Sequence, residues 1–218
     1  MRIRWLGHAC FQVHTSKGVV LIDPFLSQNP LSPVGPGEVE ASVIIVTHDH
    51  FDHLGDAVEV ARRTGAKVVA VPELAASLSG VEAVAVNMGS LVEVSGVEVG
   101  LFQAFHTCGR GAPASCIVRA DGATVYHAGD TALFGDMKLI GELYRPDAAL
   151  LPIGGYYTMG PREAARALAL IRPRVAIPMH YATFPVLVKD ASSFVEEARK
   201  VAPEVRVVVL RPGESYEL

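Results

Sequence analysis

The chain has 218 residues, half of them apolar and 19% charged, with a formal net charge of −4. That balance predicts a compact globular chain with a large core and no disordered tail. The acidic excess, with no stripe of Lys and Arg, excludes a phosphate-tracking surface, so no nucleic-acid partner is expected.

The elements read in chain order as follows. Ile3 to Leu6, Phe11 to His14 and Val19 to Ile22 are expected strands, the last ending at Asp23-Pro24. A Pro- and Gly-rich loop, Ser27 to Gly37, leads to a buried strand at Val43 to Val46. Leu54 to Thr64 has helical apolar spacing and stops at Gly65, Lys67 to Val71 is a strand, and Pro72 opens a short helix to Leu78. Strand character returns at Val84 to Val86, Leu91 to Val94, Val97 to Phe105, Cys116 to Arg119 and Thr124 to His127. Three helix-strand units close the chain: Phe134–Leu143 with Ala148–Leu151, Arg162–Ile171 with Val175–Pro178, and Ala191–Val201 with Val205–Leu210. Meander then βα units occurs twice, which two mixed sheets packed face to face with outer helices would accommodate.

The longest apolar runs are too short to span a bilayer, so no membrane partner is expected. No basic segment followed by an apolar one opens the chain, and Cys10, Cys108 and Cys116 form no C-x-x-C pair. Reduced thiols in a cytoplasmic protein are the expectation.

His48-Asp49-His50-Phe51-Asp52-His53 places three imidazoles and two carboxylates in six residues, directly after a buried strand. An isolated histidine is often structural, but this density offers many nitrogen donors to one point, which suits borderline ions such as zinc. Alternating directions let His48 and His50 face one ion while Asp52 and His53 face another. Further ligands must come from elsewhere, and His106, Asp130 and His180 each stand at or just beyond a predicted strand end.

Thr47 to His53, followed by His106, Gly129-Asp130-Thr131 and Pro178-Met179-His180, resembles the metallo-β-lactamase superfamily. The resemblance implies a single α/β domain over residues 1–218, a four-layer αββα sandwich. It implies two divalent ions per chain, zinc or manganese first, nickel or iron as alternatives. His48, His50 and His106 would hold one ion, Asp52, His53 and His180 the other, and Asp130 would bridge them. It further implies a metal-bound hydroxide that attacks the substrate, with Asp52 orienting it or taking its proton. Asp23 would orient ligands from beneath the site. His8 is open between a cleft-facing contact and a structural turn residue. Trp5 to Ala9, Leu21 to Phe25 and Gly154 to Pro161 resemble a branch of bacterial metal-dependent hydrolases related to the ascorbate-6-phosphate lactonases.

The expected activity is therefore hydrolysis of a small-molecule ester, lactone or phosphodiester, with a homo-oligomer left open. A phosphodiesterase of the nuclease type is the nearer alternative, without the basic arms such relatives carry. A di-iron redox protein of the same fold is the more distant one; those relatives carry an acidic residue where this chain has His50. Arg110, in the loop after His106, is expected to be solvated rather than to bind an anion. Tyr156, Tyr157, Met159, Tyr181 and Phe184 would form an apolar wall if their loops face the site.

Overall fold

The structure, a computed structural model, describes residues 1–218. The first half contains β1 (Arg2–Trp5), β2 (Phe11–Thr15), β3 (Gly18–Ile22), β4 (Val43–Ile45), α1 (Phe51–Leu54), α2 (Ala57–Thr64), β5 (Lys67–Ala70), α3 (Pro72–Ala75) and β6 (Ala83–Ala85). The second contains β7 (Leu91–Val94), β8 (Val97–Gln103), β9 (Ala114–Ala120), β10 (Ala123–His127), α4 (Met137–Tyr144), β11 (Ala148–Pro152), α5 (Pro161–Ile171), β12 (Val175–Met179), α6 (Ser192–Val201), β13 (Arg206–Val207) and β14 (Ser215–Glu217).

The strands form two seven-stranded sheets, ordered β14-β1-β2-β3-β4-β5-β6 and β13-β12-β11-β10-β9-β8-β7. Each sheet is antiparallel in its meander half and parallel in its βα half. β4, β11 and β12 are buried along their whole length, as parallel strands covered on both faces must be. One cluster of 64 buried apolar residues includes strand residues of both sheets, so the two share a core flanked by helices. No helix is long and apolar enough to cross a membrane.

Two expectations shift, and one strand was not anticipated. The helix expected over Leu54 to Thr64 is two short helices, broken where Gly55 takes φ +42° beneath the Pro24 carbonyl. The strand expected over Val205 to Leu210 pairs only at Arg206–Val207, because β12 is its sole neighbour and Val209 turns out to solvent. β14, a short polar run with no hydrophobic alternation, gave no signal; it pairs antiparallel with the outer edge of β1.

A backbone contact sets how α4 meets α5. A Cβ on Gly141, inside α4, would collide with the carbonyl oxygen of Ile171 at the end of α5. Helix propensity alone favours Gly141→Ala by up to about 1 kcal/mol. Overpacking against rigid backbone outweighs that, for an expected net loss of about 1–2 kcal/mol. Urea unfolding should show a lower midpoint than the parent; a higher midpoint would show that the helices can separate at little cost.

Candidate metal centre

The histidine- and aspartate-bearing loops all leave strand ends along one edge of the sandwich. Asp23 directly follows β3, and Thr47 and His48 lie just beyond the end of β4, while His50, Asp52 and His53 lie at and within α1. His106, Asp130 and His180 follow β8, β10 and β12. The two sheets are tied together at this edge: Ala114 N–H donates to the Thr47 carbonyl (3.0 Å) and His180 N–H to the His8 carbonyl (3.0 Å). Gly129, at φ +60°, lets the turn before Asp130 approach, since a Cβ there would strike the Ala114 carbonyl.

Ligand atoms gather into three sets, each within 4.8 Å: His48, His50 and His106; His48, His53 and Asp130; and His8, Asp52, His53 and His180. Asp130 lies between them. Its Oδ2 stands 3.1 Å from His180 Nε2 and 3.5 Å from His106 Nε2, and its Oδ1 stands 3.2 Å from His53 Nε2. His53 Nε2, Asp130 Oδ1 and both His180 nitrogens are buried without a hydrogen-bond partner. Their contacts are close enough for ion pairs but lie outside hydrogen-bond geometry. Buried polar atoms are rarely left so, and a cation shared by His53 Nε2, Asp130 Oδ1 and His180 Nε2 would satisfy those three. Imidazole and carboxylate donors in this number fit divalent transition metals.

A network beneath the site fixes which nitrogen each ring presents. Asp23 has no exposed surface; it accepts from Thr47 N–H (2.8 Å), Thr47 Oγ1 (2.7 Å) and His53 Nδ1 (2.7 Å). Thr47 Oγ1 also meets His48 Nδ1 at 3.1 Å. With each Nδ1 engaged, His48 and His53 turn Nε2 toward the cluster, the tautomer a metal needs. Burial, reinforced by His53, lowers the His48 pKa to about 2, so this ring is neutral. Burial opposes a charge on His53 as well, but Asp130 and Asp23 outweigh it and raise its pKa. The same carboxylates would draw a metal ion to Nε2, where proton and metal compete. Burial likewise opposes ionisation of Asp130, yet His180 and His53 hold its carboxyl well below the usual range.

The structure brings all seven expected ligands to one place, with Asp23 directly behind them. His8 is not at the cleft surface. It is fully buried, its Nε2 3.1 Å from Asp52 Oδ2 and its Nδ1 3.0 Å from Thr183 Oγ1. Burial, with help from His180, lowers its pKa to about 4. Both ring nitrogens of His8 have a partner, Asp52 at Nε2 and Thr183 at Nδ1, so it positions Asp52 and has none left for substrate. Thr47 and Thr183 are the residues the sequence reading missed. Thr47 had one usable signal, a hydroxyl immediately before the histidine cluster; Thr183 had none. His127 is a strut, bonded to the Ala9 carbonyl and Gly129 N–H. Met159 and Tyr181 are buried, whereas Tyr157 and Phe184 line a cleft of about 460 Å³ with His50, Asp52, His106, Asp130 and His180. A wider hollow of about 950 Å³ between α4 and α5 has neither histidine nor cysteine in its lining.

This geometry agrees with what the chain resembles. A model of the β-lactamase superfamily domain matches residues 19–181. A UPF0173 metal-dependent hydrolase of Methanopyrus kandleri is 51% identical over the full length of both chains. The chain belongs to the UPF0173 family of the metallo-β-lactamase superfamily. A second family member, from Thermofilum pendens, is 52% identical across 99% of this chain and 98% of its own. Igni18, described as a metallo hydrolase from the hyperthermophilic archaeon Ignicoccus hospitalis, superposes with a TM-score of 0.92 at 38% identity, covering 100% of this chain and 98% of that one. These relatives are archaeal, whereas the motifs pointed to a bacterial branch.

The Asp23 network generates a prediction within this family fold. Asp23→Asn retains the shape but weakens the acceptor behind His53, and it should lower metal affinity about 10–100-fold. Competition with a chromophoric chelator measures this, with circular dichroism checking the fold. Parent-like affinity in a folded variant would remove Asp23 from the orienting role.

Proposed function

We propose that this chain is a dinuclear metal-dependent hydrolase acting on a small ester, lactone or phosphodiester. The observation that carries the reading is the convergence of seven donor side chains, several with unpartnered buried atoms, at one cleft that five of them line. The names of relatives at about half identity support hydrolysis over the redox alternative. His48, His50 and His106 would hold one ion, Asp52, His53 and His180 the other, with Asp130 shared; zinc or manganese is the preferred pair. When bound, such ions supply Lewis acidity and activate a water.

The chain's own residues do the rest. Asp52 points one carboxylate oxygen at His8, which holds the group in place and leaves the other to orient the attacking water or accept its proton. Burial opposes ionisation of Asp52, but the His8 hydrogen bond and the imidazoles around it keep the carboxyl below its usual range. Thr47 and Asp23 keep the ring nitrogens aimed at the cleft. The bacterial and ascorbate-6-phosphate lactonase kinship rests on the flanking motifs alone.

Parallel variants test the division of ligands. Asp130→Ala removes a carboxylate common to both sets and should deplete both ions, whereas His180→Ala should deplete chiefly one. Both should cost several orders of magnitude in turnover on any ester the parent hydrolyses, because nucleophile generation fails. Elemental analysis and initial rates read this directly. Asp130→Ala retaining two ions and near-parent turnover would require the ligand sets to be redrawn.

A further inference from the structure

Nine residues line the cleft, and five of them, His50, Asp52, His106, Asp130 and His180, belong to the proposed ligand set. The other four are Phe51, Thr107, Tyr157 and Phe184. So every wall the substrate meets away from the reacting centre is an aromatic ring or a hydroxyl, with no Lys or Arg among them. Arg110, on the neighbouring loop, places Nη1 3.4 Å from Asp49 Oδ2, and the same carboxylate accepts from Gly109 N–H at 2.7 Å. That guanidinium faces Asp49 of the histidine-rich loop and does not line the cleft.

The aromatic wall is built in place. Phe25, itself buried, meets Phe51 edge-on at 5.8 Å and Phe184 at 6.4 Å, and His8 meets Phe184 edge-on at 5.2 Å. Phe51 is nonetheless 63% exposed and Tyr157 52% exposed. Tyr157 packs against Tyr156, whose φ of +62° is a backbone conformation that aromatic residues avoid and that concentrates at functional sites. Large apolar rings presented to solvent beside a polar reaction centre mark a surface built for a ligand.

Resting on the hydrolase reading, we infer that the substrate carries, beside its scissile bond, an uncharged apolar group of ring size that lies against Phe51, Tyr157 and Phe184. An anionic substituent on that group, such as the phosphate of a phosphorylated lactone, would meet an aromatic wall with no partner, at a desolvation cost the wall does not offset. An aromatic wall can hold a cation, but the metal ions proposed at its floor would repel one.

The test uses three slowly hydrolysed aryl amides alike except for one ring substituent: none, a phosphate, or a trimethylammonium. Each is titrated calorimetrically into the metal-loaded chain. The neutral amide should bind at least about tenfold more tightly than either charged one, from ring contacts that desolvation of a charge cancels. Phe184→Ala and Tyr157→Ala should each weaken the neutral amide about three- to tenfold with metal content unchanged. Tyr157→Arg should reverse the order in favour of the phosphate. Phosphate or trimethylammonium binding as tight as neutral binding in the parent would overturn the inference. So would a neutral affinity that neither alanine variant alters. Turnover of the matching esters decides the hydrolase reading separately: neutral preference in binding with no ester cleaved would contradict that reading and support the binding preference alone.

Discussion

A carboxylate with no exposed surface is costly to bury unless its oxygens are met by donors, and Asp23 is such a group. Three donors from two later segments reach it: the backbone and hydroxyl of Thr47 and the ring of His53. The consequence runs outward. Thr47 is held, its hydroxyl engages His48, and both rings then expose Nε2 to the same point. Remove the carboxylate and the two histidines are free to rotate or change tautomer, although no ligand has been lost.

That arrangement depends on backbone strained at the residues that matter. His8, Asp23 and His180 all have positive φ, at +53°, +45° and +56°. Non-glycine residues in that region cost about 1–3 kcal/mol each and persist only where the surroundings over-determine them. Here the surroundings are hydrogen bonds: His180 N–H to the His8 carbonyl and Asp23 N–H to the Ile45 carbonyl, both 3.0 Å. The first also joins the two sheets, so one contact fixes a proposed ligand and closes the sandwich at the site.

The candidate ligand loop stood out because its chemistry is dense: six consecutive residues carry five donor side chains after a buried strand. His106, Asp130 and His180 were legible because strand ends could be placed within a residue or two from apolar runs, and the superfamily resemblance assigned their partners. The meander and βα halves were read correctly for the same reason. What stayed hidden depends on long-range contact. Nothing local distinguishes Thr183 from any loop threonine; its role arises 175 residues away at His8. His8 itself was undecided because burial, which removes it from the cleft, is set by Phe25, Phe184 and His180 packing around it. β14 and the gap between α1 and α2 were missed because a polar edge strand and a single glycine carry too little periodicity.

Structure and the proposed chemistry meet at one carboxylate, Asp130, standing between two sets of imidazoles. Anomalous diffraction from crystals of the metal-loaded chain, recorded across the absorption edge of the bound metal, tests this most directly. Two peaks per chain are expected, one among His48, His50 and His106, the other among Asp52, His53 and His180, with Asp130 in contact with both. A single peak, or two peaks of which Asp130 touches only one, would contradict it.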